Sequence, residues 1–348
     1  MPKDNSVRTN FYPKKDGYQF ENDFVNNFIS ELDVRTSGLC GGMVYSALDY
    51  FNSKVPIPGQ NYPPAEGSKL RDYIYDRQVT SIQSNIDKWI ELFFNPFGIR
   101  DEEFWRWGLD GKRGGRIWEL RQRIDKGKPV PISLLGYRKS NSMGDHQVLA
   151  IGYKMGRYKG DLGSYKKDFT IYIYDPNRKN YIRQLKVDIK KKSYYLSDCP
   201  QCYWRTYFVD LSYKSKKPPA IFGPQKQLIT VLRTGKDDLR GGRDNLNIAL
   251  LYKDGKSDMF RNVNKGRRWI NKSTNAVSLP IPQNRKFSDI RGMKLSTTFS
   301  GGLSGDNWNL HSLNIYRQGA NGKELIYSKR GRPLKRFTGS SKTFRVTF

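Results

Sequence analysis

The chain has 348 residues, enough for two domains, and its hydrophobic (36 %) and aromatic (14 %) content can fill two cores despite a mean hydropathy of −0.75, which excludes wholesale disorder. Against 33 Asp and Glu stand 62 Lys and Arg, a formal charge of +29 that draws anionic partners through salt-sensitive forces. No stretch reaches the roughly 18 apolar residues of a membrane span, the start MPKDNSVRTNFYPKKDGYQF lacks the apolar core of a signal peptide, and three cysteines are too few for a disulfide framework, so a soluble chain of unspecified compartment is expected.

After a polar start, DVRTSGLCGGMVYSALDYF opens a helix whose Met43, Val44, Ala47, Leu48 and Phe51 fall on one face, with Thr36 and Ser37 as candidate caps. A second helix is marked by Leu70, Ile74, Ile82, Ile86, Trp89, Ile90 and Phe93, and the Pro-rich VPIPGQNYPPAEG separates the two as a loop. From Ile117, IWELRQRIDKGKPVPISLLGY predicts helix, glycine turn and a buried strand around Pro131 to Leu135. Three strands follow: HQVLAIGYK is nearly all apolar, DFTIYIYD alternates, and CYWRTYFVDLSY closes the set. Helices first and antiparallel strands afterwards predict an α+β domain over residues 1–215.

Residues 212–224, SYKSKKPPAIFGP, are rich in Lys and Pro and predict a linker. Beyond it come seven short runs: QLITVLRT, LNIALLY, AVSLPI, GMKLSTTF, LHSLNIY, KELIYSK and KTFRVTF. With no convincing helix among them, they predict an all-β sandwich over residues 225–348.

The chemistry is narrowed by scarcity. The chain has two histidines, His146 and His311, one in each predicted domain. A hydrolytic His of the first domain is therefore His146, at the start of an apolar strand in GDHQVLAIGY, while Cys40 opens a helix in SGLCGGMVY. A thiol attacks as thiolate, and a helix N-terminus and a nearby imidazolium both favour that form. The glycines beside Cys40 would let a substrate approach the backbone. Asp175, ending the strand IYIYD, can orient the imidazole, with Asn177 as the alternative third member.

Cys in GLCGGM, then Gly-Asp-His before an apolar strand, then Tyr-Asp-Pro-Asn ending the next, resembles the papain-like cysteine peptidase superfamily. The closest likeness is to the branch related to peptidases that process bacteriocin leaders. The resemblance covers roughly residues 20 to 212 and implies Cys40 as nucleophile, His146 as base and Asp175 as orienter. The implied activity is cleavage of peptide or isopeptide bonds through an acyl-enzyme. One departure concerns the oxyanion: papain-type enzymes place a Gln about six residues before the nucleophile, and here that position is Val34, followed by Arg35, Thr36 and Ser37. The oxyanion hole then depends on the Cys40 backbone N–H and a second donor that the sequence does not identify; loss of one such donor costs about 100- to 1000-fold in rate.

Other signals are weaker. Cys199 and Cys202 form CPQC, read as two thiols in preference to a disulfide, with no second pair or spare His to complete a zinc site. In the second domain, TGKDDLRGGRDNLNIALLYKDG and SGDNWNLHSLNIY resemble the PLAT (lipoxygenase-homology) β-sandwich. That resemblance implies a docking role, with Asp237, Asp238 and Asp244 as candidate calcium ligands and Trp308 as a candidate binding residue. Turn formation by the Asp residues and core packing by the Trp are the simpler readings. No other cofactor or metal is expected. The second domain carries 25 Lys and Arg against 8 Asp and Glu, so an anionic lipid, acidic glycan or other polyanionic surface is the expected partner beside the peptide or protein substrate. No helix-turn-helix, zinc-finger or RNP pattern supports sequence-specific nucleic-acid binding. Three functions compete: a cysteine hydrolase, an acyl transferase or deamidase using the same acyl-enzyme, and an inactive papain-like binding protein.

Overall fold

The protein is described by a computed structural model covering residues 5–24, 27–29, 34–36, 38–61, 63–64, 68–137, 144–221, 226–282, 284–300, 306–319 and 322–348. The chain packs as two compact units: Met1–Asp23, Leu39–Tyr62 and Tyr73–Ala220 form one, and Phe24–Gly38, Pro63–Asp72 and Ile221–Phe348 the other. Two short segments of the expected first domain thus group with the second unit. Among the described residues no helix is long and apolar enough to cross a membrane.

The N-terminal part runs through β1 (Ser6–Arg8), α1 (Pro13–Asp16), the hairpin β2 (Asn27–Ile29) and β3 (Val34–Thr36), then α2 (Cys40–Asn52), α3 (Lys69–Gln83), α4 (Ile86–Phe93), α5 (Asp101–Trp107) and α6 (Arg116–Ile124). The expected second helix is two, because the chain turns at Ser84 and Asn85 before α4. Seven strands follow: β4 (Val130–Leu135), β5 (His146–Lys154), β6 (Thr170–Asp175), β7 (Arg178–Asp188), β8 (Ser193–Leu196), β9 (Cys199–Trp204) and β10 (Thr206–Val209). They form an antiparallel sheet in the order β10-β4-β5-β6-β7-β8-β9, with β1 added beside β5. The expected closing strand is interrupted at Arg205, so its halves, β9 and β10, lie at opposite edges of the sheet.

Every residue of β4 and β6, and all of β5 except Lys154, is buried. The sheet centre is therefore covered on both faces, which explains the near-continuous apolar run of β5. The alternation in β6 predicts one wet face. Instead Tyr172 lies under the Arg8 guanidinium, 4.1 Å from its ring centroid, and Tyr174 packs on Phe11. Aromatic rings with a polar tip thus fill a covered face that an alternation pattern leaves to water.

The second unit has two four-stranded antiparallel sheets. One is β14 (Thr274–Pro280), β11 (Gln227–Thr234), β16 (Trp308–Gly319) and β17 (Gly322–Phe337); the other is β13 (Ser257–Phe260), β12 (Leu246–Tyr252), β15 (Ile290–Thr297) and β18 (Thr343–Thr347). Leu228, Leu232, Leu313 and Ile315 of the first share one core with Leu246, Ile248, Leu250, Met293 and Leu295 of the second, which makes the region a β-sandwich. The protein is accordingly α+β, with the sandwich at its C-terminal end. β13 is the strand the sequence does not announce: its pattern SDMF is short and half exposed.

Candidate active site

Cys40 is the first residue of α2, whose N-cap is Leu39 with no side-chain cap and no acidic residue in the first turn. Of the expected caps, Thr36 belongs to β3 and Ser37 lies outside the described residues. The helix dipole therefore favours an anion at this position, and the Gly41 N–H supports it. Cys40 is half-buried, and its sulfur receives the Gln147 N–H at 3.4 Å.

His146, the first residue of β5, is buried and points Nε2 at Asp175 Oδ1, 2.8 Å away. Its other ring nitrogen is not taken by Asp175, and Cys40 is among the groups that favour the protonated ring. Asp175 ends β6, one strand over. Its Oδ1 also accepts the Asn177 N–H at 2.9 Å, and its Oδ2 meets Arg183 Nη1 at 2.6 Å. Asn177 therefore supports the carboxylate, while the ring faces Asp175. The Asn177 amide oxygen accepts from Asn22 Nδ2 at 3.1 Å, and Asn22 Oδ1 accepts the Leu39 N–H at 2.7 Å. Asn22 thus ties the residue before the thiol to the turn after the carboxylate.

Electrostatics follow from this order. Burial pushes the Cys40 thiol up, but the hydrogen bond and charge of His146 and the N–H groups of Gln147 and Gly41 outweigh it and hold the thiol below its ordinary value. Burial pulls His146 down, yet the charge and hydrogen bond of Asp175, with the thiolate, raise it to about 10. Burial also opposes ionisation of Asp175, and the charge and hydrogen bond of His146, the Asn177 N–H and Arg183 overcome it, leaving the carboxyl at about 2. Thiolate, imidazolium and carboxylate are mutually stabilising.

Gly41 and Gly42 serve packing rather than substrate approach. A Cβ on Gly41 would lie 1.7 Å from Gln147 Oε1, and one on Gly42 would lie 2.1 Å from the Ile74 carbonyl oxygen. The same Gln147 oxygen receives the Ser81 hydroxyl at 3.0 Å, and Gln78 Oε1 receives the Gly42 N–H at 2.8 Å. α2 is thereby seated between β5 and α3.

Trp204, Arg183, Asn22 and Gln147 were not expected at the site. Trp204 stacks on the His146 ring at 6.3 Å between centroids and 23° between planes, and gives its Nε1–H to Gly144 O. It stands 58 positions along the chain from His146, so no local pattern announces it. Only a register for the β6–β7 hairpin could have suggested Arg183.

Cys199 and Cys202 form a disulfide, a correction to the reading as thiols: their turn sets the Cα atoms 5.3 Å apart, within bonding range. Trp308 is fully buried, stacked on Phe337 and edge-on to Trp269, with Nε1–H on Thr234 Oγ1 at 3.2 Å. It is a core residue and not a binding anchor. Asp237 pairs with Arg336 at 3.1 Å and Asp238 with Arg268 at 2.5 Å, while Asp244 closes a turn on Gly241. Two of the three candidate calcium carboxylates are thus turned to guanidinium groups, and among the described residues no three metal-ligating side chains converge. His311 lies on β16 against Gly235.

No family model matches the chain, and no curated protein matches it. Solved structures with partial likeness include the alpha-toxin of an avian strain of Clostridium perfringens, at 18 % identity and TM-score 0.29 over 38 % of this chain and 34 % of the toxin. The alpha toxin of Clostridium absonum gives 16 % identity and TM-score 0.29 over 38 % and 34 %. A LOX variant gives 14 % identity and TM-score 0.26 over 36 % of this chain and 16 % of the LOX chain. The chain thus spans about a third of the toxins' length, and the likenesses carry no argument about activity.

Proposed function

We propose that the chain is a papain-like cysteine hydrolase that cleaves peptide or isopeptide bonds through an acyl-enzyme. The observation that carries this reading is the 2.8 Å His146–Asp175 hydrogen bond next to Cys40, which opens α2 and whose sulfur takes the N–H of Gln147, the residue after His146, at 3.4 Å. The Cys40 thiolate attacks the carbonyl carbon, and the oxyanion meets the Cys40 N–H. Imidazolium then gives its proton to the leaving amine, so the amine departs neutral and a thioester remains. Water gives a proton to His146 as its oxygen attacks the thioester, and collapse releases the acid and restores the Cys40 thiolate beside imidazolium. Asp175 stays ionised throughout and holds the ring.

The second unit is proposed to bring the enzyme to a polyanionic surface. The 25 Lys and Arg against 8 Asp and Glu of residues 225–348 support this reading. Labelling of the native protein with a library of electrophilic peptides tests the hydrolase: saturable modification of Cys40, abolished in His146→Ala, is expected. Failure of every probe to modify Cys40 would overturn it.

A further inference from the structure

Arg183 is buried, with its side chain 7 % exposed, although nothing apolar calls a guanidinium there. It lies opposite Ile173 in the β6–β7 pairing. The register shifts between Ile173 and Asp175, which pairs with Arg178, and the Arg183 side chain reaches Asp175 at this irregularity. Its Nη1 meets Asp175 Oδ2 at 2.6 Å, and its Nε meets Asp198 at 2.9 and 3.1 Å. Asp198 sits in the β8–β9 turn, directly before the Cys199–Cys202 disulfide.

We propose that Arg183 is a positioning residue of the triad, clamped between Asp175 and Asp198 so that it fixes the rotation of the Asp175 carboxylate and sets the charge that His146 feels. This rests on the hydrolase reading above. The carboxylate of Asp175 has two oxygens to satisfy. Oδ1 takes His146 and the Asn177 N–H, and Oδ2 takes Arg183, so neither can exchange with the other without breaking a bond to a charged group. A planar guanidinium can hold two carboxylates at once in fixed directions, whereas an ammonium holds them as a point charge. Its cation also stands one carboxylate away from the imidazole. It therefore opposes a second positive charge on His146 and favours the negative charge on Cys40, lowering the pH at which each titrates. Among the described residues, the charged groups nearest in chain or register to the triad include Asp145, next to His146 and bonded to the Gly136 N–H, and Arg178, opposite Asp175.

The test is the rate of Cys40 alkylation by iodoacetamide against pH, measured without substrate. It is paired with NMR titration of the two histidines, with His311 as reference. In Arg183→Gln both the rise with thiolate formation and the His146 titration are expected to move up by about one pH unit. Arg183→Lys should return both to near the wild-type pH while restoring only part of the rate. An unchanged profile in Arg183→Gln, or Arg183→Lys behaving like Arg183→Gln, would overturn the proposal. Asp198 is half-exposed, with its side chain 52 % accessible, so Asp198→Asn tests the clamp without unpairing Asp175 should Arg183→Gln not fold. A shifted alkylation profile against pH with unchanged melting temperature is expected, and an unchanged profile would overturn the clamp. A wild-type Cys40 with the profile of a free thiol would instead overturn the hydrolase reading itself, and the proposal with it.

Discussion

At the scale of single residues the protein concentrates unlike charges in a small buried space. Cys40 is the one cysteine outside the disulfide, so alkylation without reductant reports on it alone. At pH 6 to 7 it should react at least about tenfold faster than a free thiol of pKa near 8.5, because its thiolate is held by His146 and the start of α2. Peptide mass mapping checks this. His146→Ala should slow the reaction to the free-thiol rate or below, and Asp175→Asn should give an intermediate loss. The same groups make stability depend on pH. His146 rises from 6.5 unfolded to about 10 folded, so its contribution is complete below pH 6.5 and is lost as pH climbs through 10. Asp175 falls from 3.8 to about 2, so its contribution is complete above about pH 4 and is lost as pH drops through 2. The melting-temperature gap between wild type and His146→Ala should therefore shrink between pH 7 and 10. A constant gap would show that the ring is held by packing and not by charge.

At the scale of elements, what seats the thiol is the contact of α2 with β5 and α3. Gly41→Ala forces a methyl group into Gln147 and Ser81, both themselves hydrogen-bonded, and is expected to cost about 3 kcal/mol, read from the urea midpoint. Methyl addition there should also lower Cys40 reactivity, because Gln147 supplies an N–H to the sulfur. A second device holds residues 212–220, which composition alone marks as linker. Asp49 of α2 accepts the Tyr213 hydroxyl at 2.7 Å and the Lys216 N–H at 2.9 Å, and Arg77 of α3 gives an N–H to Lys214 O at 2.9 Å. The segment is stitched to the first unit and ends with it at Ala220. Native trypsin should therefore leave Lys214 and Lys216 uncut despite their exposure. Asp49→Ala should open both sites within the time that wild type stays intact, as gel electrophoresis would show.

At the scale of the whole molecule the surplus of +29 is the dominant feature. Binding of the full chain to anionic liposomes should fall steeply between 50 and 200 mM salt, as counterion release requires. Lys329, Arg330 and Arg332 are exposed on β17, the terminal strand of its sheet. Replacing all three by Gln should reduce the slope of log affinity against log salt by about two to three. An unchanged slope would move the binding surface elsewhere. Lysines and arginines on a sheet edge also guard against edge-to-edge aggregation, so the same variant should be less soluble.

The sequence alone placed the main elements and the candidate reacting groups. Periods of two and 3.6 and turn residues at fixed offsets are local, and they placed α2, β5 and β6 and seven of the eight sandwich strands near where they lie. With two histidines in the chain, the choice of His146 needed no structure. Everything that depends on which residues meet across the fold was decided by the tertiary structure alone. Arg183 reaches Asp175 because of the β6–β7 register, Trp204 covers His146 from another edge of the sheet, and Gly41 is glycine because Gln147 occupies the space beside it. The burial of Trp308 and the tyrosines of β6 belongs here too. A hydrophobic period records that a face is covered, but packing partners are set by chain segments far apart in sequence, and no local pattern carries their registration.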